Sequence, residues 1–228
     1  MLRLIQTQGA RLGNHIFQNV GLALLAKKYN YKVHQYFSTE ECKVLNFNFY
    51  SGTKINETYV YYNDEHLMPL LQYNNELNHG ILYEGFFQNI DFIKTYKQDI
   101  KSLFNLDKHE NNDLFIHVRL DDAERFNPGI DYYRECISKI KYDKIFISSD
   151  SPTSNFIQTL VKEYNMSIYE DTAINTINFG RKCNNIIISN GTFSWWIAFL
   201  SNAKNIFYPT KHCTSFHPFI YLPEWNGI

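Results

Sequence analysis

The chain lacks a concentration of positive charge. Its 22 basic and 23 acidic residues are spread along 228 positions, with a formal charge of −1. A nucleic-acid binder gathers Lys and Arg onto one face or stripe, so the expected partner is neutral or locally recognised. Cysteine is also scarce. Cys42, Cys136, Cys183 and Cys213 lie far apart and form neither a CxxC pair nor a Cys/His metal spacing, which argues against a disulfide framework or a zinc site and for a reducing compartment. No apolar run reaches the length of a membrane span. The short run Met1–Ile5 meets polar Gln6-Thr7-Gln8 too soon to be a signal-peptide core. There is no internal repeat and no low-complexity tail.

Aromatic residues, by contrast, are abundant, with 18 Phe and 17 Tyr in a chain that is 44% apolar. Ring faces stack on the CH faces of sugars and fill protein cores equally well, so composition leaves both uses open. Short apolar runs alternate with amphipathic stretches, the pattern of an α/β fold. Leu2–Ile5 reads as a strand and Asn14–Tyr29 as a helix with Ile16, Phe17, Val20, Ala23 and Leu24 on one face. Residues 31–63 show no clean period and read as short strands and loops. Ile81–Tyr83 reads as a strand, followed by Gly85 and a helix through about Phe104. The polar stretch 107–112 separates two halves, 1–106 and 107–228. In the second half, strands are expected at Leu114–Val118, Lys144–Ser148, Met166–Tyr169, Asn185–Ser189 and Asn205–Tyr208. Helices are expected at Tyr132–Ile140, from Pro152 in the first turn to Tyr164, and at Thr192–Leu200.

Three strand-to-loop junctions could hold a diphosphate. Gln8–His15 places glycines ahead of a helix, where backbone N–H groups can approach a phosphate; a ligand-free tight turn would look the same. Phe115–Asp122 delivers His117, Arg119 and Asp122 to the carboxyl end of a strand, where open α/β sheets bind ligands. The planar fork of Arg119 suits a diphosphate, although an Arg–Asp surface pair would use the same residues. Ser189–Trp196 gathers hydroxyls and N–H groups at a helix start, which serves a cap or an anion site equally. The Trp pair reads as core.

These junctions carry a family resemblance. Leu12-Gly13-Asn14-His15-Ile16-Phe17-Gln18 resembles the amino-terminal LGNQMFQ signature of the α-1,2-fucosyltransferases, with His15 in place of Gln. Glu84-Gly85-Phe86-Phe87-Gln88 is similar to the GYFQ segment of that family, and His117-Val118-Arg119 followed by Asp122 to its HxRRxD motif. Asp131-Tyr132-Tyr133 and Ile147-Ser148-Ser149-Asp150 fall where the family has a YY pair and an FSDD strand end. Gly191-Thr192-Phe193-Ser194-Trp195-Trp196 nearly reproduces the STFSWW block, and Leu222-Pro223-Glu224-Trp225 resembles a terminal Pro–Trp segment. The motifs keep the family order from end to end, and the likeness extends more loosely to the α-1,6 and protein O-fucosyltransferases.

The resemblance implies a GT-B fold of two Rossmann-like halves with the donor site in the cleft between them. Residues 1–106 would form the acceptor side and 107–228 the nucleotide-sugar donor side, with the last segment packing back on the first half. It implies GDP-fucose as donor substrate, a glycan acceptor, inversion at the sugar carbon and no cofactor or metal. Asp121 and Asp122 are adjacent and lack acid-x-acid spacing. Arg119 would clamp the diphosphate, Gly13 and Asn14 would reach the donor from the first half, and His117 would lie near guanosine. Thr192 and Ser194 would bind phosphate, with Phe193 beside them. Asp122 matches the acid of the motif, and Glu124 is the other acid near Arg119; one of them is expected to act on the acceptor proton. Because enzymes of secretory glycans usually carry an anchor, the expected location is the cytoplasm of a microbe or an infected host cell.

Two positions depart from the family. Leu120 replaces the second Arg of HxRRxD, which the protein O-fucosyltransferases also lack. Thr176 stands seven residues before Cys183, where the family has a guanine-pairing Asp, leaving Asn175 or Asn178 to substitute. A different nucleotide sugar, or a non-catalytic protein binding a nucleotide sugar or glycan, are the alternatives.

Overall fold

In the computed structural model, which describes residues 1–5, 11–33, 43–106, 111–121, 124–211 and 220–228, the chain divides into two units, Met1–Asn105 and Leu106–Ile228. The first contains β1 (Leu2–Leu4), α1 (Leu12–Tyr29), β2 (Tyr59–Asn63), α2 (Leu67–Gln72), β3 (Gly80–Glu84), α3 (Ile90–Thr95) and α4 (Lys97–Ser102). Its strands pair in the order β1-β3-β2, all parallel.

Helix α1 is buried almost all round: Ile16, Phe17, Val20, Leu22, Leu24 and Leu25 are enclosed, and so are the polar Gln18 and Asn19. A helix of that kind belongs inside a protein rather than on its surface. It ends at Asn30, whose left-handed backbone (φ 54°) brings its N–H to the carbonyl of Ala26, with Lys27 and Lys28 in the last turn. Asn tolerates that conformation, and cations suit the negative helix end.

The single helix expected after Gly85 through about Phe104 is instead two short ones. Gly85 and Phe87 take positive φ values of 154° and 58°, which no helix accepts. Asn89 then starts the first helix, its Oδ1 accepting from the backbone N–H groups of Asp91 (2.9 Å) and Phe92 (3.0 Å).

The second unit contains β4 (Leu114–Val118), α5 (Ile130–Ser138), β5 (Ile145–Ser149), α6 (Asn155–Tyr164), β6 (Ser167–Ile168), α7 (Ala173–Gly180), β7 (Asn185–Ile187), α8 (Thr192–Phe199), β8 (Asn205–Tyr208) and β9 (Asn226–Gly227). Six strands run in the order β6-β5-β4-β7-β8-β9, and every pair is parallel. Parallel sheets are covered on both faces, and β4 is buried throughout. Leu114, Ile116 and Val118 join Tyr133, Cys136 and Ile137 of α5 and Ile157 and Leu160 of α6 in one cluster. Phe115 and His117, on the alternate face, meet Phe179 of α7 and Phe193 of α8.

Pro152 lies outside α6 rather than in its first turn. The Oγ of Ser154 accepts from the backbone N–H of Ile157 (3.3 Å) and so sets the helix start. Helix α7 has no counterpart in the sequence reading. It is short, and the Thr172 side chain caps it. The closing segment forms the edge of the second sheet. Asn226–Gly227 pairs with β8, and the Trp195 indole N–H donates to the carbonyl of Ile220 (2.9 Å). Trp195 and Trp196 are both core, exposed by 1% and 0%.

Both units are thus α/β, each built on a parallel sheet. Among the described residues, no helix is long and apolar enough to cross a membrane. Cys136 and Cys183 are buried free thiols, each pushed up to about 12 by burial; Cys42 and Cys213 lie outside the described residues.

Candidate active site at the carboxyl edge of the second sheet

Strands β4 and β7 are neighbours in the second sheet, so their carboxyl ends bring two sequence-distant junctions together. Each end carries functional side chains. His117, near the end of β4, is buried, and its Nδ1 is 2.6 Å from Ser194 Oγ and 3.4 Å from Ser189 Oγ. The two hydroxyls are themselves 2.9 Å apart. The ring of Phe193 lies 4.8 Å from the imidazole, centroid to centroid. Burial holds the imidazole down to about 4; the nearby Asp150 carboxylate opposes the shift and the Arg119 guanidinium adds to it. The ring is therefore neutral at pH 7, with one nitrogen donating and the other accepting.

Arg119 follows one residue after β4 ends, half-buried. Its carbonyl accepts from Asn127 Nδ2 (3.2 Å), and its guanidinium passes Gly191. A Cβ built on Gly191 would lie 3.0 Å from Arg119 Nη1, and the backbone there has φ 135°. The conformation disfavours an L side chain, and a Cβ there would require the Arg119 guanidinium to give by a few tenths of an ångström. Gly191 is also the N-cap of α8, whose first residue, Thr192, is buried. Arg119, His117, Thr192, Phe193 and Ser194 are thus gathered around one sheet edge and one helix start.

Several supporting residues were given no role from the sequence. Asp150, at the end of β5, accepts from the backbone N–H of Leu120 (2.8 Å) and so holds the chain leaving β4. Asn127 also accepts from the N–H of Gly129 (2.9 Å); the Asn127-Pro128-Gly129 turn chemistry is the signal that could have found it. Asn190 ties the loop to β7, its Nδ2 donating to the Phe126 carbonyl (2.8 Å) and its Oδ1 accepting from Tyr221 OH (3.0 Å).

Glu124 is exposed and begins a short 3-10 turn, Glu124–Phe126. Asp122 lies outside the described residues. Thr176 is buried in α7. Neither flanking amide is idle: Asn175 Nδ2 donates to Asp171 Oδ1 (2.9 Å), and Asn178 Oδ1 accepts from Arg181 Nε (2.9 Å).

In the first unit, Gly13 and Asn14 lie in the first turn of α1, Gly13 buried and Asn14 half-buried. Asn14 Oδ1 accepts from Gln88 Nε2 (2.9 Å).

An open parallel sheet that presents an arginine, a neutral imidazole and a helix N-terminus at its carboxyl edge is built as α/β proteins build sites for phosphorylated ligands. The particular family follows from the whole chain. The family model described as glycosyl transferase family 11 matches residues 14–228. The chain belongs to that family, and it is a glycosyltransferase of the fucosyltransferase type. Among solved structures it is similar to a crystal structure of POFUT1 in complex with GDP, at 10% identity and a TM-score of 0.48, over 89% of this chain and 94% of that one. No curated protein sequence matches it.

Proposed function

We propose that this glycosyltransferase moves fucose from GDP-fucose to a hydroxyl of a glycan acceptor, with inversion and without a metal. The acceptor oxygen attacks the sugar carbon as the bond from that carbon to the diphosphate oxygen breaks, and GDP leaves with the bonding electron pair. The acceptor proton passes to a carboxylate, Asp122 in first place and Glu124 in second. The observation that carries the reading is Arg119, whose guanidinium lies at the sheet edge beside Gly191 and the start of α8. Preorganised donors of this kind stabilise the charge that develops on a leaving diphosphate. In the same reading Thr192 and Ser194 serve phosphate, Phe193 lies beside them, and His117 lies towards the nucleoside. Gly13 and Asn14 act on the donor from the first unit.

A different donor base is favoured by one observation. Thr176 is buried where the motif has an acid, and the oxygen of Asn178 is already taken by Arg181. A thermal-shift panel of GDP, UDP, ADP and CDP decides, since a ligand stabilises according to its concentration over its Kd. The largest rise with GDP supports a guanine donor, and the largest rise with another nucleotide replaces it. Release of free nucleotide from the matching nucleotide sugar then reports turnover with that donor.

A further inference from the structure

Glu84–Gln88 is a motif to which the reaction assigns no role. In the structure it is the exit of β3, and its shape is held by one side chain from the neighbouring strand end. Asp64, directly after β2, accepts three hydrogen bonds: Oδ1 from Tyr83 OH (2.9 Å) and from the Phe87 N–H (2.8 Å), Oδ2 from the Phe86 N–H (2.9 Å). The carboxylate sits so close that a Cβ on Gly85, where φ is 154°, would lie 2.4 Å from its Oδ1.

The turn continues into Phe87, which has a left-handed backbone at φ 58°. Its ring stacks on Tyr83 with centroids 4.1 Å apart and fills the space at Gly21 of α1, where a Cβ would fall 2.0 Å from it. Two amides then join the turn to α1. Gln18 Nε2 donates to the Gly85 carbonyl (3.0 Å), and Gln88 Nε2 donates to Asn14 Oδ1 (2.9 Å). The bond from Gln88 fixes the orientation of the Asn14 side chain.

We infer that Asp64 is a positioning residue for the donor, holding the Gly85–Gln88 turn so that Gln88 orients Asn14. The inference rests on the reading of Asn14 as a donor contact. A carboxylate suits the task because three donors converge on it. An Asn there would turn an N–H₂ group towards one of those donors.

The test measures donor KM, kcat and GDP affinity for Asp64→Asn, Gln88→Ala, Asn14→Ala and the double variant Asp64→Asn/Asn14→Ala, with melting curves for each. Each single change is expected to raise donor KM and GDP Kd by about tenfold, the worth of one hydrogen bond to a charged group. The fall in kcat is expected to be smaller. The double variant is expected to be no worse than Asn14→Ala, because groups acting through one another are not additive. Losses that add, or a wild-type KM in both Asp64→Asn and Gln88→Ala beside an impaired Asn14→Ala, overturn the inference alone. A normal Asn14→Ala overturns the reading of Asn14 and the inference with it. If Asp64→Asn fails to fold, Gln88→Ala, which leaves the three bonds to Asp64 in place, decides.

Discussion

Replacing Gly191 by Ala perturbs the site at one atom with two separable consequences. The first is conformational. At φ 135° the backbone occupies a region that L residues rarely adopt, at a cost on the order of 1–3 kcal/mol. At roughly 2–4 °C per kcal/mol for a chain of this size, the melting temperature should fall by about 2–12 °C. The second consequence is local. The new Cβ would sit 3.0 Å from Arg119 Nη1 and 3.7 Å from its Cδ, so the guanidinium must move by a few tenths of an ångström or turn away. Misplacement approaching ~1 Å can cost on the order of a hundredfold in rate, and a loss of about tenfold or more in nucleotide release is expected. The assay pairs melting curves with release of GDP from GDP-fucose for Gly191→Ala, Arg119→Ala and the double variant. The double variant should melt as low as Gly191→Ala but turn over no more slowly than Arg119→Ala, because the clash has lost its target. A Gly191→Ala protein with wild-type melting and wild-type turnover would refute both the strain and the contact.

Arg119→Ala should leave melting nearly unchanged and lower transfer by about 10²–10³-fold, the worth of one preorganised oxyanion donor; near-normal turnover removes the clamp role. Asp122→Asn is expected to abolish transfer with donor binding kept, and Glu124→Gln to be tolerated. The reverse outcome makes Glu124 the base, a role worth about 10²–10⁴ in rate. Stability should fall as the pH drops. His117 is held at about 4 in the folded chain, below its unfolded value of about 6.5. The unfolded chain therefore takes up the proton first, and about 3 kcal/mol present above pH ~6.5 is lost as the pH falls towards 4. Denaturant unfolding between these limits, beside His117→Gln with a flatter profile, checks the sign. Activity is expected to survive EDTA, because the neighbouring acids Asp121 and Asp122 lack the acid-x-acid spacing of a metal-binding pair; loss restored by manganese or magnesium would overturn the metal-free reading.

Periodicity made the second sheet legible. Leu114–Val118 and Asn205–Tyr208 are strands over the residues their apolar runs mark, because a buried parallel strand has no polar face to blur its ends. Pattern also sufficed for α1 and for the core position of Trp195 and Trp196. It failed where single hydrogen bonds overrule it. Ser154 caps α6 beyond Pro152, Thr172 starts the short α7, and Asn89 breaks the stretch after Gly85 into a later, shorter helix.

The site divides in the same way. Sequence by itself determined the chemistry: an Arg and a His leaving one apolar strand, a Gly-Thr-Phe-Ser run opening a helix after another, and the order of motifs that marks the family. Their meeting was decided only by tertiary structure. Residues 117 and 194 are 77 positions apart, and they come within 2.6 Å because β4 and β7 are sheet neighbours with strands β5 and β6 folded to one side. The neutrality of His117, the fit of Arg119 against Gly191 and the hold of Asp64 on the Gly85–Gln88 turn arise there too. Desolvation, close approach and hydrogen bonding depend on distance in space, which strand order sets and local sequence does not contain.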